Sequence, residues 1–148
     1  VMIYGGDATV QSLGCADYDP ACVRAVLGDI LPWMAGLPWY LDLTAERHRY
    51  IVVHAGLSDA HLAGQLAAMD AVEAWWQPGS PLPPMLYERR IASAPCDLPR
   101  DTWVVSGHTP LPAAVVTGQR VLCDTSGGRP GRFLSAVNMP EGRVVTAR

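Results

Sequence analysis

Five short runs of β-forming residues crowd the last third of the chain: Thr102 to Val105, Ala113 to Val116, Arg120 to Cys123, Arg132 to Asn138 and Arg143 to Thr146. Each is set off by glycine or proline signals, a texture that predicts a mainly antiparallel sheet. The earlier part reads differently. Asp19 is suited to cap a helix and Pro20 to occupy its first turn, so a helix is expected through Leu31, with Pro32 breaking or kinking it. Trp39 to Leu43 and Tyr50 to Val53 flank the charged Thr44 to Arg49 stretch and predict a β-hairpin. His61 to Met69 and Met85 to Ile91 are expected to be helical. Between them, Gln77 to Pro84 concentrates four prolines in eight residues and reads as a rigid surface loop. Helices early and strands late point to an α+β or layered α/β domain with a β-rich half, spanning residues 1–148 as a single unit.

A chain of 148 residues that is 49% hydrophobic and 17% charged is expected to build one core. At this size roughly 70% of the unfolded surface can be buried, so neither a metal nor a disulfide is needed to hold the fold. A metal would then serve chemistry. Eleven basic residues, all arginine, stand against fourteen acidic ones, for a net charge of −3. That balance argues against a broad nucleic-acid surface and leaves small anionic substrates open. The longest uncharged stretch, Thr102 to Gln119, contains His108, two prolines and two glycines, so no membrane association is expected. Val1 to Gly6 lacks a basic segment followed by an apolar one, and Cys15, Cys22, Cys96 and Cys123 show no CxxC spacing. A reducing cytoplasm is the expected location.

Two histidines stand in matching contexts. Tyr50-Ile51-Val52-Val53 runs into His54-Ala55-Gly56-Leu57, and Trp103-Val104-Val105-Ser106 runs into Gly107-His108-Thr109-Pro110. Each is expected at the exit of a strand, where small neighbours leave room for a metal or an anion. One such histidine is more often a hydrogen-bonded structural residue than a ligand; two in parallel contexts narrow that gap. Leu86-Tyr87-Glu88-Arg89-Arg90 offers paired guanidinium groups, either a phosphate clamp or a solvated helix face with an Arg–Glu pair. Asp124 reads equally as a carboxylate holding an imidazole or as the start of a turn. Ser126, beside two glycines, lacks the strand, elbow and helix arrangement of a hydrolase serine. Trp75 and Trp76 read as core packing or as a wall that stacks on a base.

His54-Ala55-Gly56-Leu57, the Leu86-to-Arg89 segment, Gly107-His108-Thr109-Pro110 and the Asp124-Thr125-Ser126-Gly127-Gly128 turn resemble, in order, the later motifs of calcineurin-like metallophosphoesterases. The pattern looks most like the bacterial phosphoprotein phosphatase branch, close to the symmetrical diadenosine tetraphosphatases. Tyr4-Gly5-Gly6-Asp7-Ala8-Thr9 is similar to the Gly-Gly-x-x-Thr segment that follows the family's GNH[ED] motif. The resemblance implies a layered α/β/β/α sandwich flanked by helices. It implies that His54 and His108 are late ligands of a dinuclear metal centre and that Arg89 binds the substrate phosphate, with Arg90 as a competitor. It further implies two divalent ions, manganese first, with iron, zinc or magnesium as other candidates. The substrate implied is a phosphorylated protein or a small phosphorylated compound.

No DxH, GDxxDRG or GNH[ED] motif stands ahead of His54, where the family's earlier motifs belong; Gly28-Asp29-Ile30 lacks the His-Gly that must follow and lies in an expected helix. No catalytic acid or base is assigned. The expectation is that the chain is the later portion of a longer enzyme, that its exposed sheet surface invites association, and that it has negligible phosphatase activity alone. The other readings are hydrolysis of a symmetrical dinucleoside tetraphosphate, and a non-catalytic binding or scaffolding module that keeps the motifs as relics.

Overall fold

The computed structural model describes residues 6–15, 19–58, 61–71, 84–92 and 97–148. Trp75, Trp76, Cys96 and residues 77–83 of the proline-rich segment lie outside them. Contacts divide the chain into two units, Val1–Leu37 and Pro38–Arg148.

In the first unit, Gly6–Ser12 forms α1, Pro20–Leu27 forms α2 and Ile30–Ala35 forms α3. Asp19 caps α2 as expected, its Oδ1 accepting from the Ala21 amide at 2.9 Å. The expected helix through Leu31 instead divides at Gly28 and Asp29. Pro32 does not break it, because it falls in the first turn of α3, where a backbone N–H has no intrahelical partner to lose. A disulfide joins Cys15 to Cys22. Nothing in the cysteine spacing announces this bond, and structural disulfides persist mainly in oxidising compartments. Among the described residues no helix is long and apolar enough to cross a membrane.

The second unit is built on a mixed five-stranded sheet of order β1-β2-β3-β5-β4. Its strands are β1 (Tyr40–Ala45), β2 (His48–Val53), β3 (Thr102–Ser106), β4 (Val115–Thr117) and β5 (Arg120–Leu122). β1 and β2 form the expected hairpin. Glu46 and Arg47 turn it with φ of 48° and 70°, the left-handed pair that matches the twist of a tight hairpin. Arg49 grips Asp42 across it, Nε to Oδ1 at 2.9 Å and Nη2 to Oδ2 at 2.6 Å. β6 (Leu134–Asn138) and β7 (Arg143–Ala147) make a separate antiparallel pair.

Among the late strands β4 with β5 and β6 with β7 pair antiparallel as expected, whereas β3 departs and runs parallel to both β2 and β5. Its partner on one side comes from the earlier hairpin rather than from the neighbouring late runs. The fold is mixed α and β, consistent with the α+β expectation. Ile51, Val53 and Val104, on one face of the sheet, pack with Leu57, Met85 and α4 (Leu62–Asp70), which contributes Leu62, Leu66 and Met69. The expected helix over Met85 to Ile91 is two 3-10 turns, Pro84–Leu86 and Arg89–Ala92. On the opposite face, Leu41 and Leu43 remain 45% and 48% exposed, with Val52 and Val105 beside Leu41 in register.

Candidate functional site

The parallel pairing decides where the site lies. Val53 stands opposite Ser106, and Ser106 opposite Leu122, so β2, β3 and β5 end together at one edge of the sheet. The ladder continues one step beyond the strands: the Gly107 amide donates to the His54 carbonyl at 3.0 Å, and the Cys123 amide to the Ser106 carbonyl at 3.0 Å. His54, His108 and Asp124 therefore leave the sheet side by side. Carboxyl ends of adjacent parallel strands are where open sheets bind ligands, because the strands fix the backbone and the loops carry the chemistry.

His108 adopts φ of 61°, a left-handed conformation uncommon outside glycine, and its Nδ1 lies 2.8 Å from His54 Nε2. The rings are 4.6 Å apart, centre to centre. The other nitrogen of His108, Nε2, is 2.9 Å from the Tyr87 carbonyl. A carbonyl only accepts, so Nε2 donates to it, and with that nitrogen holding the ring's single proton Nδ1 presents a lone pair to His54. Partial desolvation lowers the pKa of His54 from its usual 6.5, the neighbouring His108 adds to the effect, and the Asp124 carboxylate opposes it. That environment favours a neutral imidazole.

The approach to His54 is held by buried polar groups. Gln65 accepts from the Ser58 amide at 2.8 Å and donates to the Ser58 carbonyl at 3.2 Å, while the Arg120 guanidinium donates to the Leu57 carbonyl at 3.1 Å. The Ala55 amide donates to the Met85 carbonyl at 2.9 Å, which seats the 3-10 turn bearing Tyr87. Sequence reasoning missed all of these. A buried glutamine on an apolar helix was the available signal for Gln65; a backbone carbonyl such as that of Tyr87 has no signature in sequence.

Asp124 begins a turn, its Oδ1 accepting from the Gly127 amide at 2.7 Å, and acts on His54 through its charge. Arg90 is committed to Glu88, Nη2 to Oε2 at 3.0 Å, and with the Arg89 and Arg90 amides it holds the Glu88 carboxyl down to about 2. The solvated Arg–Glu pair thus exists, but it engages Arg90. Arg89 is exposed, two residues beyond the carbonyl that anchors His108, and its side chain makes no hydrogen bond or ion pair among the described residues. The remaining histidines are elsewhere: His48 opens β2, and His61 pairs with Asp97 at 2.9 Å.

A groove of about 310 Å³ opens beside the pair, lined by Trp39, Leu41, Val52, His54, Ser106 and Cys123 among others. Burial raises the Cys123 pKa, with the Asp124 charge adding to it, so the group stays a thiol at neutral pH. Ser106 Oγ and Thr109 Oγ1, flanking the His108 turn, are buried without a hydrogen-bond partner among the described residues. Among the described residues, no third histidine, cysteine, aspartate or glutamate joins the two imidazoles in a metal-binding group.

A scan against protein-family models matches none to this chain. A search of curated proteins returns no match either. The likeness to metallophosphoesterases therefore rests on the motifs alone.

Proposed function

We propose that the chain carries part of the site of a metal-dependent phosphoesterase of the serine/threonine protein phosphatase type, acting on phosphomonoesters. The observation that supports this is the convergence of His54 Nε2 and His108 Nδ1 at 2.8 Å, with the far nitrogen of His108 fixed on the Tyr87 carbonyl. Two nitrogens about 2.1 Å from one ion stand about 3.0 Å apart at a right angle and about 3.4 Å apart at a tetrahedral one. The pair fits the first with a shift of a few tenths of an ångström. An imidazole whose other N–H is held by a carbonyl is also the usual form of a histidine ligand. Without an ion, the same separation accommodates a proton donated by His54 Nε2 to His108 Nδ1. Metal and proton then compete for one position.

His54 and His108 would hold the ion. A divalent ion bound there supplies Lewis-acid polarisation of phosphoryl oxygen and lowers the pKa of attacking water. Arg89, whose side chain makes no hydrogen bond or ion pair among the described residues, would take two phosphoryl oxygens through its forked N–H groups. The Gly107 and His108 turn orients the pair, and the Gln65 and Arg120 clamps keep it from relaxing. Two nitrogens give a weak site, so the remaining ligands must come from residues outside the described ones or outside this chain.

Titration of the 148-residue chain with Mn²⁺ and Ni²⁺ tests the reading. Nickel binds imidazole more tightly than manganese. Saturable binding that is lost in both His54→Ala and His108→Ala, with negligible hydrolysis of p-nitrophenyl phosphate in excess Mn²⁺, is expected. Absence of Ni²⁺ binding in the folded protein would remove the proposal in favour of a binding module. Full turnover would show that the other ligands lie within this chain.

A further inference from the structure

A second pocket is lined by residues that follow the His108 turn and the Asp124 turn in the chain. Pro110, Leu111 and Pro112 wall it from one side, Thr125, Ser126, Arg129 and Arg132 from the other, around about 250 Å³. The two loops are locked to each other. The Leu111 amide donates to the Asp124 carbonyl at 2.8 Å, and Gly127, at φ of 56°, passes so close that an added Cβ would lie 2.8 Å from Pro110 Cγ. The arginine-bearing segment folds through successive turns, with the Arg129 amide on the Ser126 carbonyl at 3.0 Å and the Arg132 amide on the Arg129 carbonyl at 3.3 Å. Thr125 Oγ1 fastens its far end to the Phe133 carbonyl at 2.9 Å and to Ser135 Oγ at 2.7 Å.

No carboxylate lines this pocket, and neither Arg129 nor Arg132 makes a side-chain hydrogen bond or ion pair among the described residues. Two positive charges thus face one concavity in a protein whose net charge is −3. Ser126 Oγ accepts from the Gly128 amide at 3.2 Å, which leaves its own O–H to donate. Two forked guanidiniums and a hydroxyl match the several oxygens and the near-double charge of a phosphoryl group better than the two oxygens and single charge of a carboxylate.

We propose that Arg129, Arg132 and Ser126 form a second phosphoryl-binding site, so that the substrate taken at the imidazole pair carries a further phosphate reaching past the Gly107 to Pro110 turn. The link between the two sites rests on the phosphoesterase reading; the anion site itself does not.

Calorimetric titration of the full chain with pyrophosphate and with inorganic phosphate, at low salt and with EDTA present, tests the anion site apart from any metal. Saturable binding is expected, weakened tenfold or more in the double variant Arg129→Gln/Arg132→Gln and unchanged in Arg100→Gln. Ser126→Ala is expected to weaken it a few-fold. Circular dichroism of the double variant should match the parent, since both side chains are exposed. Wild-type affinity in the folded double variant, or no binding in the parent, would overturn the proposal. Binding of a triglutamate peptide with pyrophosphate unable to displace it would overturn the phosphoryl assignment. Loss of Ni²⁺ binding with pyrophosphate binding intact would remove the phosphoesterase reading and leave this site standing.

Discussion

The unit ending at Leu37 and the unit beginning at Pro38 are held by different means. In the first, the described residues that are buried are Val10 and Cys15, α2 and α3 bury no residue, and Val26, Ile30 and Trp33 face water. Its tie is covalent. In the second, a parallel strand pair carries Ile51 and Val104 at 0% and 1% exposure, closed over by α4 and the Pro84–Leu86 turn. The difference teaches where a site can be placed. Two imidazoles separated by 54 positions meet only because strands packed on an apolar core hold a fixed register. A few helices on a disulfide have no comparable means of fixing a side chain.

That contrast can be broken first at the core. Ile51→Ala should cost about 2–5 kcal/mol by urea unfolding, whereas Val26→Ala on α2 should change stability by about 0.5 kcal/mol or less. Equal costs would erase the distinction. Reduction of Cys15–Cys22, which closes a loop of about eight residues, should destabilise the first unit by about 2.5 kcal/mol in the chain-entropy account. Proteolysis after reduction should cut within residues 6–37 while Ni²⁺ binding persists; loss of both together would show that the units share one means of support.

A smaller effect is expected at Gly127. Alanine there meets Pro110 and must hold a positive φ, so about 1–2 kcal/mol should be lost and the turn displaced. Alanine at Gly128, also at positive φ but in open space, should cost less. The smallest effect concerns pH. The His54 pKa is lowered on folding, so the unfolded chain takes up that proton first as pH falls. Stability from this group is complete above about 6.5 and declines as the pH falls below it. The melting temperature of His54→Gln should lack that component.

Much of the local structure was legible in the residues. Asp19-Pro20 marked a helix start, the hairpin followed from its flanking β-formers, and the runs into His54 and His108 marked strand exits. What was not legible was partnership. Alternation along a five-residue strand records which side is buried and nothing about the direction of its neighbour, so the parallel pairing of β3 with β2 and β5 escaped the sequence. The anchors of the imidazole pair were hidden for another reason: the Tyr87 and Met85 carbonyls are backbone atoms, and every residue has one. Nor did α1 announce itself, because between Asp7 and Ser12 only Ala8 and Gln11 are strong helix formers.

The proposal that His54 Nε2 and His108 Nδ1 share one cation can be read at the two nitrogens themselves. Nitrogen-detected NMR of the ¹⁵N-labelled histidines, recorded before and after Zn²⁺, reads it directly. His108 is expected to start with its proton on Nε2, and zinc to shift His54 Nε2 and His108 Nδ1 together while His48 and His61 stay in place. A proton on His108 Nδ1, or zinc shifts confined to one of the two rings, would contradict it.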